Sequence, residues 1–362
     1  MIASAFDQQS LAEFRAQIES ERAQFSNAGQ VGAHDPRAGH DDIPWSEQMG
    51  AHFAANAAAE IDRINSRIVF IDVNAALAEP QPPRQSIVKH YLPAGIVAAL
   101  NGVGASGKSY TAEMLSVAVA IGRSVKPFEI EKPGVVLFVS VEDDELALSD
   151  RLYWIAQELN LTTVEKKLLA ENLRIVSARG ALGPLMQFNS ERNPVPAIGT
   201  EWLRQTMDEY RPDLVILDTK SRLFGLVENS NDDAAAWVSN LESLLVDHPV
   251  TSFLVISHVG KKDDDAQANQ YGARGASAFV DNCRSVLAFV EANDAEKKRL
   301  RATDIGPVYR LVHAKPSYTK CLSINSHDLV QDNHSGRQCV ECNVREIRLL
   351  VSWYQFAKSV EP

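Results

Sequence analysis

Gly102-Val103-Gly104-Ala105-Ser106-Gly107-Lys108-Ser109 is the stretch that decides the fold, because it follows the pattern G-x-x-x-x-G-K-[ST]. The residues before it, Ile96 to Leu100, are mostly apolar and predict a short buried strand. The residues after it, Tyr110 to Ile121, carry apolar side chains at helical spacing. A strand, a glycine-rich loop and a helix in this order are typical of a phosphate-binding loop. The alternative is an ordinary glycine turn between a strand and a helix.

The residue types in this loop suit the binding of a nucleotide. Glycines let backbone N–H groups turn towards an anion, and the helix that follows adds the positive end of its dipole. Lys108 would reach the β- and γ-phosphates, and the Ser109 hydroxyl would bind Mg²⁺. We therefore expect ATP and Mg²⁺ as cofactors. The expected nucleotide-binding residues are Gly102, Gly104, Ala105, Ser106, Gly107, Lys108, Ser109 and Tyr110.

Length, composition and charge restrict the classes of protein to which this chain can belong. The chain has 362 residues, of which 45% are hydrophobic, as in a soluble globular protein of about two domains. It has no run of about 18 apolar residues, so we expect no transmembrane helix. Residues 1–20 lack the pattern of a signal peptide, and the expectation is a cytoplasmic location. The net charge of -11 disfavours a protein that coats nucleic acid with its whole surface, but it allows a ring with a basic inner surface.

The pattern along the chain divides it into three regions. Residues 1–85 predict a mainly helical N-terminal region, which is either an arm that packs on a neighbouring domain or subunit or an arm that recruits a partner. After the prolines at 80–83, strands and helices alternate through residues 86–320. Residues 321–362 form a tail that we expect to pack on this core. The N-terminal elements are helices over Leu11–Phe25 and Trp45–Ile64, with a linker over Gly29–Pro44.

The alternation of strands and helices predicts an α/β core with a mostly parallel central sheet flanked by helices. Asp213–Asp218 is a buried apolar run that ends in Asp, as a Walker B strand requires. The Asp218 carboxylate would hold Mg²⁺ through water, next to Ser109. The other predicted strands are Val135–Val141, Leu173–Val176, Thr251–Ser257, Ser285–Val290 and Tyr309–Ala314, and the other predicted core helices end near Leu159 and cover Thr200–Tyr210.

Several short motifs together resemble the RepA-type plasmid replicative helicases, which are RecA-like, hexameric ATPases related to the DnaB superfamily. The resemblance covers about Leu92 to Tyr318 and implies a RecA-like P-loop core. The phosphate-binding loop is shared by many families, whereas Arg-Gly-x-Ser followed by Asp-Asn-x-Arg is more specific. The motifs are Gly102–Ser109, Glu142-Asp143, Asp218-Thr219, the acidic loop Glu228–Asp232, Ser257-His258, Ala273–Ser277 and Val280–Arg284.

The resemblance implies roles for two side chains at strand ends. Glu142 would be the general base that orients water onto the γ-phosphate, assisted by Asp143. The alternative for Glu142 is a residue without a catalytic role, either an acidic strand end or a carboxylate at a helix N-terminus. His258 would sense the γ-phosphate, and its alternative is a histidine that caps a strand end by hydrogen bonding.

The resemblance also implies arginines and lysines that act beyond one subunit. Arg284 resembles an arginine finger that reaches the neighbouring subunit's site, with Arg274 as the second candidate. The alternative for either arginine is a surface salt bridge. Lys261 and Lys262 would meet nucleic-acid phosphates in a central channel, or else lie on a solvated loop.

These residues and the resemblance together leave three functions open, of which the third belongs to another class. The first is a Mg²⁺-dependent ring ATPase, a homo-oligomer and expected hexamer, that translocates on single-stranded DNA in plasmid, phage or prophage replication. The second is a regulatory or recombination-mediator ATPase of the same fold, and the third is a P-loop small-molecule kinase. The sequence departs from the helicase family's pattern at two positions, with Lys220 directly after Asp218-Thr219 and Ser285 after Arg284.

The C-terminal tail contains a cluster of cysteines and histidines. Cys339 and Cys342 are spaced as a C-x₂-C knuckle, which is typical of a structural zinc site. The other candidate ligands, Cys321, His327 and His334, are irregularly spaced. The alternative is a polar loop before the last element of the chain.

Overall fold

The computed structural model of the protein describes residues 61, 62, 64–258, 277–299 and 309–316. The chain divides into two compact units, Met1–Asp72 and Val73–Pro362. In the first unit, residues 61, 62 and 64–67 are helical. The rest of the predicted N-terminal helices, the linker between them and the cysteine-containing tail lie outside the described residues. The division of the chain at residue 85 stays a prediction.

The second unit contains strands and helices in alternation. The strands are β1 (Ser86–Val88), β2 (Leu92–Pro93), β3 (Val97–Gly102), β4 (Val136–Ser140), β5 (Leu173–Ser177), β6 (Met186–Phe188), β7 (Pro194–Pro196), β8 (Leu214–Asp218), β9 (Ser252–His258), β10 (Ser285–Glu291) and β11 (Tyr309–Pro316). The helices are α1 (Val73–Ala78), α2 (Lys108–Ile121), α3 (Glu145–Glu158), α4 (Thr163–Asn172), α5 (Ile198–Tyr210), α6 (Lys220–Leu223), α7 (Asn231–Asp247), α8 (Ser277–Asn282) and α9 (Asp294–Arg299).

A seven-stranded sheet in the order β11-β10-β3-β9-β8-β4-β5 forms the centre of this unit. The pairs from β10 to β5 are parallel, and β11 pairs antiparallel with β10. The strand before the phosphate-binding loop, β3, lies between β10 and β9, and all six of its residues are buried. The prediction of an α/β, RecA-like P-loop core with a mostly parallel sheet is confirmed.

Each face of the sheet is covered by its own hydrophobic core, because successive residues of a strand point to opposite faces. On β3, Ala98 and Leu100 belong to the core that includes α2, α3 and α4. Val97 and Ala99 belong to the other core, which includes α5, α7 and α8. The loops at the carboxyl ends of the parallel strands are thereby held at one edge of a rigid scaffold.

The structure corrects the sequence analysis after the Walker B strand. We assign Glu228–Asp232 to an acidic loop, whereas α7 begins at Asn231. The physical reason is an N-cap, because the Ser230 side chain accepts a hydrogen bond from the Asp233 backbone N–H at 3.2 Å. None of the described helices combines the length and the apolar character that crossing a membrane requires.

Candidate active site

The phosphate-binding loop has the backbone shape that its glycines predict. Gly107 has a φ of 82°, in the left-handed region that favours glycine. At Gly102, a Cβ atom would approach the Phe289 Cβ and the Ser106 Oγ to 3.0 Å. Gly107 also supplies no side chain to cap α2. The first N–H groups of this 14-residue helix therefore remain available to an anion.

The Lys108 side chain is folded onto the loop that carries it. Its Nζ donates hydrogen bonds to the Gly102 and Val103 carbonyl oxygens at 2.9 and 2.7 Å. Burial lowers the pKa of Lys108 to about 8, while the carboxylates of Asp218 and Glu142 act in the opposite direction. The ammonium group therefore lies within the loop, where phosphate oxygens can replace the two carbonyls as its partners.

The strand order places the other candidate residues along the same edge. Because β9 separates β3 from β8, His258 at the end of β9 lies beside Gly102 in the register. Asp218 is the last residue of β8, and it is paired with Ser140 of the next strand in the sheet, β4. Glu142 follows two residues beyond the end of β4. The carboxyl ends of four adjacent parallel strands thus carry the phosphate-binding loop, His258, Asp218 and Glu142 in that order.

Asp218 is a buried carboxylate without a hydrogen-bond partner. The residue is 1% exposed, and neither carboxylate oxygen accepts a hydrogen bond of ordinary geometry. Burial raises the pKa of Asp218 to about 6, and the nearby Ser109 hydroxyl opposes this rise. A buried charge without a partner is costly, and a hard cation with oxygen ligands removes that cost. Asp218 and Ser109 therefore fit a Mg²⁺ ion held between the β8 end and the start of α2.

Glu142 lies between two basic side chains. Its Oε1 is 3.9 Å from the His258 Nε2 and 3.8 Å from the Arg222 Nε, distances that allow charge interaction but exceed a good hydrogen bond. The pKa of Glu142 is lowered, chiefly by His258 and further by Arg222 and Lys108, against the effect of partial burial. The carboxyl group is thus kept ionised and able to accept a proton.

Comparison with known protein families shows to which family the chain belongs. The profile of the AAA domain family matches residues 62–264, more than half of the chain. The chain belongs to the AAA domain family. It is therefore a nucleotide-binding ATPase of the P-loop kind. A comparison with curated proteins finds no match.

The sequence does not reveal the pairing of a buried carboxyl group of the AAA domain, Glu113, with the partly buried Arg151. Glu113 of α2 is 0% exposed, and Arg151 of α3 approaches its Oε2 with Nε at 3.5 Å. Arg151 also forms an ion pair with Asp143. Burial raises the pKa of Glu113 to about 8, whereas Arg151 lowers it. The available signal was a single Glu within the apolar helix after Ser109, because a charged residue in such a helix needs a buried partner.

Lys220, which departs from the helicase pattern, is buried next to the Walker B strand. It is 2% exposed, and its Nζ lies 4.3 Å from the centroid of the Phe224 ring and 4.8 Å from that of Phe279. Burial lowers the pKa of Lys220. The lysine at this position therefore makes cation–π contacts with Phe224, after α6, and with Phe279 of α8, and its ammonium group does not project into the solvent.

Among the remaining predicted residues, the structure describes Tyr110 and Arg284. Tyr110 is buried, and its hydroxyl donates to the Glu158 Oε2 at 3.0 Å, so only its backbone is left for a nucleotide. Arg284 is exposed, and its backbone N–H donates to the Val97 carbonyl oxygen at 2.8 Å. Arg284 thus lies at the amino end of β3, about 16 Å along the strand from Gly102. Arg274, Lys261 and Lys262 lie outside the described residues.

Proposed function

We propose that this ATPase is a Mg²⁺-dependent replicative DNA helicase or translocase of plasmid, phage or prophage origin, which acts on single-stranded DNA as a homo-oligomeric ring. The observation that carries the proposal is the grouping of Lys108, His258, Asp218 and Glu142 along one sheet edge. A positive loop, an ionised carboxylate and a buried unpaired carboxylate are what hydrolysis of a nucleoside triphosphate requires. The RepA-type motifs supply the finer assignment.

Each residue has a proposed role at the phosphates. The loop N–H groups and Lys108 bind the β- and γ-phosphates, and Ser109 and Asp218 hold Mg²⁺, which neutralises the charge that develops there. Glu142 orients the attacking water and accepts its proton. His258, beside the loop and 3.9 Å from Glu142, senses the presence of the γ-phosphate.

The position of Arg284 supports a ring. An arginine about 16 Å from Gly102 along β3 does not reach the phosphates bound by its own loop. An exposed arginine at that end of the sheet can serve a second copy of the chain, in which it stabilises the charge of the transferred phosphoryl group. We propose a hexamer, with Arg274 as the other candidate for this role.

Single-stranded DNA is the proposed polymer substrate. Lys261 and Lys262 follow His258 by three and four residues in the sequence, so phosphate contacts there would be coupled to the nucleotide state. Such contacts would make turnover depend on DNA and on ionic strength.

The test is the ATPase rate of the full-length chain with and without single-stranded DNA, measured together with the mass in solution. We expect a ring whose turnover increases with DNA and loses that increase in a Lys261→Ala/Lys262→Ala variant. Turnover by a monomer that DNA does not stimulate would overturn the proposal and favour a regulatory ATPase. Transfer of phosphate to a small acceptor in place of water would identify a kinase.

A further inference from the structure

Arg151 joins two elements of the nucleotide site that are far apart in sequence. Its Nε lies 3.5 Å from Oε2 of Glu113 on α2, and its Nη2 binds Oδ2 of Asp143 in the turn after β4. The arginine side chain is 17% exposed and that of Glu113 is 0% exposed. Arg151 is thus the charged neighbour of an enclosed carboxyl group whose oxygens accept no hydrogen bond of ordinary geometry.

The position of Glu113 relates this contact to the phosphate-binding loop. Glu113 follows Ser109 by four residues on α2, so the two side chains lie on one face of the helix, one turn apart. Arg151 in turn follows the buried Leu148 by three residues, which places it on the inner face of α3. Arg151 thus contacts the loop helix one turn after Ser109, which together with Asp218 would hold Mg²⁺.

The turn that carries Glu142 is fixed on both sides of this residue. The Val141 N–H donates to the Asp218 carbonyl at 2.7 Å. The Asp143 N–H donates to the Ser140 Oγ at 3.1 Å, and the Ser177 hydroxyl donates to the Asp143 carbonyl at 3.0 Å. Arg151 holds the Asp143 side chain. The backbone of Glu142 is therefore restrained, while its own side chain remains directed towards His258.

We propose that Arg151 is a positioning residue for ATP hydrolysis: by binding Glu113 of the loop helix and Asp143 of the β4 turn together, it sets the position of Glu142 relative to the bound phosphates. This inference rests on the function proposed above. Arg151 does not touch the nucleotide, and it acts through Asp143. A lysine cannot replace it, because its one nitrogen cannot lie at both of the positions, beside Glu113 and beside Asp143, that Nε and Nη2 occupy.

The experiment compares Arg151→Gln and Arg151→Lys with the full-length wild-type chain. The matched control is Arg179→Ala, because Arg179 is 56% exposed and pairs with the neighbouring Asp144 at 3.4 Å. Titration with a fluorescent ATP analogue counts the folded nucleotide sites, so that turnover is expressed per site. We expect kcat per site to fall about 10- to 100-fold in both Arg151 variants, with KM for ATP changed by less than about threefold.

The outcomes separate this inference from the proposed function. Turnover per site within about twofold of wild type in Arg151→Lys would overturn the positioning role, as would a rise in KM as large as the fall in kcat. A loss that appears only as fewer nucleotide sites would show a purely structural role and overturn it too. If Arg151→Gln does not fold, Arg151→Lys gives the answer, because it keeps the buried positive charge. A wild-type chain without turnover would refute the function itself.

Discussion

The Glu113 carboxyl group on α2 shows how burial sets a protonation state. It lies inside the core beside Arg151, and burial raises its pKa to about 8 although the arginine acts in the opposite direction. In the unfolded chain the same group loses its proton near its ordinary value of 4.5. Between these two values the folded protein retains a proton that the unfolded chain has released, so the free energy of unfolding must fall as the pH rises.

Glu113→Gln should remove this pH dependence. Relative to wild type, we expect the variant's free energy of unfolding to increase between about pH 6 and pH 8 by roughly 1 to 2 kcal/mol, and to change no further at higher pH. The sign follows because glutamine has no proton to release, whereas wild type is destabilised across this window. Urea unfolding at a series of pH values measures the difference.

Glu171→Gln is the matched control for this experiment, because Glu171 is an exposed carboxylate on α4. The stability difference between that variant and wild type should stay nearly constant with pH. A constant difference for Glu113→Gln as well would show that Glu113 is ionised in the folded protein at neutral pH.

Residues of the site differ in how far the sequence reveals them. Local sequence patterns predict the phosphate and Mg²⁺ contacts of Lys108, Ser109 and Asp218. The structure places Glu142 and His258 along the same edge of the sheet. The pairing of Glu113 with Arg151 depends on how α2 packs against α3. No local pattern carries that information, because the two residues meet only after both helices have docked on the sheet.

Helix α4 begins with a capping box that also ties it to α2. The Thr162 Oγ1 accepts a hydrogen bond from the Glu165 N–H at 3.2 Å, and the Glu165 Oε2 accepts one from the Thr162 N–H at 2.8 Å. The other oxygen of Glu165 pairs with Arg123, after the end of α2, at 2.8 Å. Local capping and tertiary packing therefore agree at this helix end.

Thr162→Ala should destabilise the protein by about 1 kcal/mol, because it removes the side-chain acceptor for the Glu165 N–H. Chemical denaturation measures the loss, and ATP turnover should be unchanged since α4 lies outside the site. Thr163→Ala is the control, because Thr163 is the first helical residue and is not the cap. Equal stability of the two variants would contradict the role of the capping box.

Among the elements, the long buried strands were predictable and the short ones were not. Strands such as β8 and β9 are continuous apolar runs, whose bounds the sequence gives within one or two residues. The three-residue strand β6 has two exposed residues and β7 has two prolines, so their pairing as a hairpin leaves no periodic signal. Helix α7 was missed because its start was interpreted as part of an acidic loop.

The whole molecule separates the loop and the proposed finger onto opposite ends of one sheet. Lys108 begins α2 after the carboxyl end of β3, and Arg284 lies at the amino end. Strand order and register decide this separation, and they come from long-range pairing that the sequence does not display. In a ring, each complete site would then combine the loop of one copy with the arginine of another.

Mixing two inactive variants should restore activity. Lys108→Ala lacks the phosphate ligand and Arg284→Ala lacks the proposed finger, so each should turn over almost no ATP alone. An equal mixture that exchanges subunits forms intact sites at about one quarter of its interfaces, which predicts up to roughly a quarter of wild-type turnover. Steady-state ATPase assays of the mixture measure this recovery.

A chain that carries both substitutions provides the control for mixing. It should restore no activity to either single variant, because it supplies neither a functional loop nor the arginine. Absence of recovery in the mixture of single variants, with subunit exchange shown by mass, would place Arg284 outside the catalytic interface.

Because Lys220 is enclosed, the reactivity of its amine reports local opening of the structure around it. An acylating reagent in water reaches exposed lysines at once, but it reaches Lys220 only after α6 and α8 have separated, because the Phe224 and Phe279 rings cover its ammonium group. Peptide mapping after timed acylation would therefore record how often this joint opens. Lys220 follows Asp218 by two residues. Its acylation rate would therefore report local opening next to the proposed nucleotide site.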